Sequence, residues 1–427
     1  MQFVTLLFHL ETICIMNTDI SSKKGINPFV IAWILGLLFY FLEYAVRSAP
    51  SIMIPQLRKA FSTSASGVST IIGAYYITYS ITSLAAGMAL DRAGAKYPLF
   101  GGAVVLGLGC LLFTFAGYYP GYVGRLLQGA GSAMAFPACV YIAVRAFSPS
   151  KLATAIGATQ SLGMLGGSAG QFLAAPLLQN GLSLTHFWII LGVFSFIIGA
   201  FIVYIIPQEK ITVDANVQQQ SLLAPYRIVF SNPQSYLSGL VSGLLFAPTT
   251  IFAMTWGVAF FQTGRHFDFS TATLTCAIVP LGWAVGCPLL GGLADRLGRR
   301  KPVIIGGASV MIISLLQLIY LPNLMAPYIT MFIMGVASGA AMIPYSIIKE
   351  ANPDKVKGSA TGTINFLTFG VTSLLGPLFN YMYGKDLSNT TDNEGHFRSA
   401  GLFWVVGIAL AIVICVFLKE TGSKKKV

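Results

Sequence analysis

The sequence predicts an all-α membrane protein whose twelve transmembrane helices form two pseudo-symmetric six-helix bundles. Three observations carry that expectation: an apolar composition, twelve apolar runs of bilayer length, and a motif that occurs twice. Of the 427 residues 55% are hydrophobic and only 9% are charged, with mean hydropathy +0.74. An ordinary soluble domain carries about 25% charged residues. The 45 glycines and 20 prolines suit helices that approach closely and break locally in lipid.

About 20 apolar residues cross a bilayer as a helix. Such runs fall at 29–54, 68–90, 97–117, 121–144, 152–177 and 186–206, then at 233–261, 270–292, 302–321, 327–347, 358–383 and 399–418. The polar gap 207–232 separates a bundle at 29–206 from one at 233–418, and terminal segments 1–28 and 419–427 flank them. The formal charge of +12 would suit a nucleic-acid binder, but its placement argues otherwise. With the N-terminus inside, nineteen of the 26 Lys and Arg fall in the N-terminal segment, the inner loops and the tail Lys424, Lys425, Lys426. Five fall outside (Arg58, Lys59, Arg265, Lys385, Arg398). That asymmetry is the positive-inside pattern and places both termini in the cytoplasm.

All six cysteines lie in or beside apolar segments without paired spacing, so they read as small packing residues. Residues 1–15 lack the basic start and cleavage site of a signal peptide, which makes Met16 an alternative start to Met1. Asn389-Thr390-Thr391 is a glycosylation triplet in an outer loop, relevant only in a eukaryote. The four His (His9, His186, His266, His396) show no metal-ligand spacing. No GxxxxGK[ST] phosphate loop is present, so an ion gradient rather than ATP is expected to drive any transport. Neither a metal nor a cofactor is expected.

The loop after the second run reads GMALDRAGAK and the loop after the eighth GGLADRLGRRK, their Asp residues 204 positions apart. GATQSLG from Gly157 repeats as GTINFLT from Gly362 at an offset of 205, and Pro137 as Pro344 at 207. A near-constant offset in three regions marks a duplicated six-helix unit. At these loops the chain resembles the major facilitator superfamily, whose signature is Gly, three residues, Asp, a basic residue, any, Gly, any and two basic residues. Gly87, Asp91, Arg92, Gly94 and Lys96 match it, with Tyr97 replacing the last basic residue. Gly291, Asp295, Arg296, Gly298, Arg300 and Lys301 match it fully. Arg125, Gln128, Gly129 and Gly131 match a second motif of the family on the fourth span. On the fifth span Gly157, Gly166 and Gly170 follow the pattern of proton-driven drug antiporters, but Gln171 replaces its Pro and Ala174-Ala175 its Gly-Gly, which argues against drug efflux. The resemblance implies a gating role for both loop motifs, with Asp91 latching the cytoplasmic side near the start of the eleventh helix, where the helix dipole favours an anion.

Of the 14 acids only Glu43 lies well inside a span, accompanied in the membrane by Arg47 and Arg125. A lone charge at the bilayer centre costs about 3 kcal/mol even on lenient scales. Gly36, Tyr40, Glu43 and Arg47 fall on one helical face, and Glu43 and Arg47 sit one turn apart, close enough to pair. The resemblance puts all three charges on cavity-lining helices. Two readings stand: a self-satisfied pair that fixes the first helix against Arg125 and the fourth, or a site in which Arg47 receives an anionic group and Glu43 exchanges the coupling proton, with Arg125 in a structural or coupling role. Tyr40, Tyr75, Tyr79, Gln128, Gln160, Trp256 and Asn365 are further substrate-site candidates. The repeat makes Gln160 and Asn365 counterparts that would face each other across the pseudo-twofold axis.

These features point to a proton-coupled secondary transporter working by alternating access, as a monomer in a bacterial inner membrane, with a small hydrophilic metabolite as its partner. EYAVRSAPSIMIPQL and GAYYITYS are similar to bacterial carriers that include the intraphagosomal amino-acid transporters, which implies an amino acid or short peptide. An organic anion or sugar phosphate, or export of a small metabolite, is the alternative. A second basic residue deep in the C-terminal half would favour phosphate, and none lies there. An enzyme would need a nucleophile and base that are not found, and a non-transporting sensor is expected to carry an extra domain.

Overall fold

The computed structural model describes residues 27–208, 223–353, 356–384 and 393–422. Those residues form twelve long helical stretches. In the first bundle they are α1 (Pro28–Ser48), α2 (Ala65–Ala93), α3 (Lys96–Leu112), α4 (Tyr118–Ser132, resuming as Ala135–Ala146), α5 (Pro149–Phe172) and α6 (Leu184–Ile205). In the second they are α7 (Pro233–Ala247, Pro248–Trp256, Gly257–Gly264), α8 (Phe269–Leu297), α9 (Lys301–Tyr320), α10 (Pro327–Ser338, Gly339–Met342, Pro344–Glu350), α11 (Lys357–Phe379, Asn380–Gly384) and α12 (Asn393–Val416). Met1, Met16, Cys14, Lys385, the Asn389 triplet, the terminal lysines and the Asp91 side chain lie outside the described residues.

Nine of these helices are long and apolar enough to cross a membrane by themselves; α2, α3 and α5 are not among them. The shortfall in α3 is length, at 17 residues. In α2 and α5 it is chemistry, because protein covers them where the two bundles meet. Ser80 on α2 donates to the Phe366 carbonyl of α11 at 2.7 Å, while Ser161 and Ser168 on α5 donate to Ala284 and Ala277 of α8 at 2.7 and 2.8 Å. Hydroxyls in these seams gain partners that lipid would not offer. The ends also differ from the apolar runs, since α2 is longer at both ends and α12 begins at Asn393 rather than 399.

Two sequence features hold α1 in place. Asn27 caps it by accepting from the Phe29 amide, with Pro28 at the first helical position. Along its length α5 closes in through glycines: a Cβ at Gly166 would lie 2.1 Å from the Phe41 carbonyl, and one at Gly170 2.4 Å from that of Ala45. Only glycine allows this approach, which presses α5 against the stretch that carries Glu43.

On α7, Pro248 has no amide to donate, and the nine residues Pro248–Trp256 widen to a π-helix. Thr255 Oγ1 donates to the Thr250 carbonyl, and Thr249 Oγ1 accepts from Trp283 Nε1 of α8. In both signature loops the second glycine ends a helix with positive φ, +67° at Gly94 and +59° at Gly298. That backbone conformation disfavours any side chain.

Candidate functional site

The site is organised by a break in α1. Pro50 cannot donate to the Val46 carbonyl four residues back, and the chain tightens into a 3₁₀ turn, Ala49–Ile52. Arg125 of α4 fills the vacancy, donating from Nη1 to Val46 O at 3.1 Å and from Nη2 to Arg47 O at 3.4 Å. Nη1 also donates to Gln128 Oε1 at 2.7 Å, and Gln128 Nε2 donates to the Gly109 carbonyl of α3. Arg125 and Gln128 therefore clamp the broken end of α1 to α3 and α4. The amide of Gln128 is spent on this clamp, and no ion pair links Arg125 to Glu43 among the described residues.

One turn away, Glu43 and Arg47 form an ion pair with no accessible surface. A single nitrogen makes it: Nη2 donates to both carboxylate oxygens, at 3.1 and 3.0 Å. Tyr75 of α2 bridges the pair, its hydroxyl accepting from Arg47 Nε at 3.2 Å and donating to Glu43 Oε2 at 2.7 Å. Arg47 Nη1 makes no hydrogen bond. The two-nitrogen fork that suits a carboxylate is thus not engaged by Glu43, and one end of the guanidinium remains to be satisfied. Aromatic rings enclose it: Arg47 Cζ lies 4.1 Å from the ring centroid of Tyr44, 4.5 Å from Tyr79, and 5.2 Å from both Tyr75 and Phe369. Arg125 Cζ sits 4.7 Å from the other neighbour of this cage, the Tyr75 ring. Such faces stabilise a desolvated cation.

The remaining candidates are spread around this centre. Tyr40 donates to Gln160 Oε1 at 3.1 Å, joining α1 to α5. Asn365 Oδ1 accepts from Tyr345 of α10 at 2.6 Å, and its Nδ2 has no partner. Gln160 and Asn365 each bond a tyrosine, and no hydrogen bond joins them to each other. Trp256 stands apart, near the bundle end away from the signature loops, with Gly384 packed on its ring.

Sequence reasoning missed three residues. Tyr44 and Phe369 belong to the cage around Arg47; their signal is helical spacing, three residues before Arg47 and four after Asn365. Gln171, read only as a departure from the antiporter pattern, donates from Nε2 to Ser51 Oγ at 2.8 Å and to Ala253 O at 3.0 Å. It ties α5 to α1 and across to α7, and Asn380 of α11 makes a similar tie to Ser66 at 2.9 Å.

The second signature loop is a network within its own bundle. Arg300 pairs with Asp295 at 2.6 Å and with Glu350 at the end of α10 at 2.8 Å. Burial alone would lower the Arg300 pKa, but hydrogen bonds and charge from Glu350 and Asp295 raise it. The Glu420 carboxylate accepts from the Arg300 and Lys301 amides at the N-terminus of α9, where an anion is favoured. Arg296 is exposed and Gly291 meets nothing within 4 Å. In the first loop a Cβ at Gly87 would lie 3.2 Å from the Tyr226 hydroxyl and 3.6 Å from Gly358 O, and Arg92 is exposed with Lys96 half-buried.

The family model described as Major Facilitator Superfamily matches residues 36–377. The chain belongs to that superfamily. It is therefore a secondary transporter, a carrier rather than an enzyme, and a multi-pass membrane protein. It is 23% identical to the probable galactarate/D-glucarate transporter of Escherichia coli (strain K12), covering 96% of this chain and 99% of that one. It is 22% identical to a membrane sensor protein of the same organism, covering 89% and 88%. The match takes in most of that sensor, so the expectation that a sensor carries a large extra domain does not separate carriers from sensors. Among solved structures it superposes on a bacterial homologue of the human lysosomal transporter Spinster with TM-score 0.72 at 14% identity, covering 93% and 98%, which is likeness of fold alone.

Proposed function

We propose that this superfamily member carries a small organic anion, whose carboxylate binds Arg47 while Glu43 takes up a proton. The observation that carries the reading is the buried guanidinium that Glu43 engages through Nη2 alone and whose Nη1 has no hydrogen-bond partner. An arriving carboxylate completes it bidentately, and the counter-ion it displaces, Glu43, then has reason to become neutral rather than stay charged in a sealed site. The relative named for galactarate and D-glucarate supports the organic anion over the amino acid or peptide suggested by the short similarity around EYAVRSAPSIMIPQL. An amino acid would also bring an ammonium group, and Glu43, the one acid buried among the described residues, is already held by Arg47 and Tyr75.

The test is a thermal-shift screen of the purified protein with D-glucarate, sulfoacetate, glutamate and glucose 6-phosphate, followed by uptake of the best ligand into proteoliposomes. The expected result is stabilisation by glucarate or sulfoacetate, lost in Arg47→Lys. Stabilisation by glutamate alone would return the amino-acid reading.

A further inference from the structure

At the end away from the signature loops the two bundles enclose an open vestibule of about 600 Å³, lined in part by Ser51, Gln56, Arg58, Gln179, Trp256 and Gln262. That is the size of a small-ligand site. Among the described residues that line it Arg58 is the one with a charge, and no acid is present. Arg58 is exposed, and its side chain makes no hydrogen bond or ion pair among the described residues. The nearest acid along the chain is Asp268, beside the lining Phe269, and both its oxygens are engaged by Thr271 at the cap of α8. The vestibule and the charged centre share one face of the chain. Arg47, Ser51, Ile54 and Arg58 recur at i, i+4, i+7 and i+11 along α1 and the short helix Ile54–Ala60 that continues it, and the last three of them line the vestibule. A helical rise per residue separates the two arginines by roughly 16 Å. Between them lies a bar: Gln171 Nε2 of α5 donates to Ser51 Oγ at 2.8 Å and to Ala253 O of α7 at 3.0 Å. At the opposite end α2 and α11 press together, where a Cβ at Gly362 would lie 3.0 Å from the Ser83 carbonyl.

We propose that the vestibule is a capture site for the organic anion, which Arg58 holds at the rim before it passes the Gln171 bar to Arg47. The proposal rests on the organic-anion reading above and adds to it the side of entry, which is the outer side on the positive-inside pattern. A cleft lined by one sign of charge focuses its field and raises the local concentration of the opposite ion. Arg58 supplies that sign, and with no acid in the lining nothing competes with the arriving carboxylate for its guanidinium. The glutamine amides and serine hydroxyls around it both donate and accept, so they bind a polar chain without selecting its orientation. Capture at the rim is therefore weak, and the buried Arg47 remains the site that fixes the substrate.

The test is initial uptake of D-glucarate and of sulfoacetate into right-side-out vesicles carrying the full chain, over a range of concentrations, for wild type, Arg58→Gln, Lys59→Gln and Arg47→Lys. Lys59 is the exposed neighbour of Arg58 and does not line the vestibule. At physiological salt, where charges more than about 8 Å apart are screened, Arg58→Gln is expected to raise KM about three- to fivefold and leave the maximal rate unchanged. Lys59→Gln is expected to change neither. An unchanged KM in Arg58→Gln overturns the capture site. So does an equal rise in KM in Arg58→Gln and Lys59→Gln, which assigns the effect to diffuse surface charge, and so does a loss of maximal rate without a rise in KM, which assigns Arg58 to the moving parts. Each of these results leaves the role of Arg47 intact. Uptake in Arg47→Lys equal to that of wild type, or no uptake of either anion by wild type, overturns the anion reading itself and the capture site with it.

Discussion

The two bundles repeat one another in sequence and differ most in the charge they bury. The first buries Glu43, Arg47 and Arg125 completely, and these are the charged side chains among the buried described residues. An offset of 204 carries Glu43 onto Ala247 and Arg47 onto Ile251, and the second bundle brings to the centre Phe369, Tyr345, Asn365 and a row of threonines instead. The difference is that buried charge sits where an opposite charge or a carbonyl is at hand, with Arg47 Nη1 still open. Glu43, Arg47 and Tyr75 answer one another, and Arg125 answers the carbonyls that Pro50 leaves open. A second such group facing the first would cost several kcal/mol per unpaired ion. The described residues thus keep buried charge in the first bundle and neutral surface in the second.

The largest effect that tests this contrast is loss of Arg47. Arg47→Ala and Arg47→Lys are both expected to lower uptake at least about a hundredfold while the protein still inserts, because an ammonium lacks the planar fork. Normal uptake in Arg47→Lys would mean that charge alone suffices, and normal uptake in Arg47→Ala would remove the residue from the site.

Arg125 belongs to the same bundle but is expected to behave as a structural part. Arg125→Ala should destabilise the folded protein by about 3 kcal/mol. Restoring an amide with Pro50→Ala in that background should recover about 1 kcal/mol, since residue 50 can then donate to Val46 O. Thermal denaturation of the two variants decides it: no recovery would show that Arg125 does more than replace the missing donor.

A smaller effect contrasts the helix pressed on Glu43 with one at the rim. Gly170→Ala forces a Cβ to 2.4 Å from a backbone carbonyl and should cost about 2 kcal/mol. Gly407→Ala on α12 meets nothing within 4 Å and should stabilise by about 0.5–1 kcal/mol. Equal shifts in melting temperature would show that α5 does not constrain α1.

Much of this was legible in the sequence, for physical reasons that also mark the limits. The helices could be read because lipid demands long apolar runs, whereas the weaker apolar character of α2 and α5 was explained only once the structure showed them to be seams. The Glu43–Arg47 pair followed from spacing on one helix, where one turn fixes the neighbours. What crosses between helices left little trace. That Arg125 serves the Pro50 break, that Gln128 is spent on Gly109, and that Phe369 of the other bundle closes the cage depend on which helices lie side by side. Gln171 shows the same limit, since a departure from a pattern says what is missing and not what the new side chain holds.

The central claim is that Glu43 and Arg47 need not both be charged in every state. On the proposed reading Glu43 neutralises Arg47 until a substrate carboxylate takes the guanidinium, whereupon Glu43 accepts a proton, and binding and protonation reinforce each other reciprocally. Glu43→Gln mimics the protonated state, and among the described residues no other acid is buried to replace it. The decisive measurement is uptake of the bound organic anion into proteoliposomes carrying this variant, with and without an imposed pH gradient. The account predicts that Glu43→Gln still exchanges substrate across the membrane but no longer concentrates it when the gradient is applied. If it concentrates substrate as the wild type does, Glu43 is only the structural partner of Arg47, and the coupling claim is wrong.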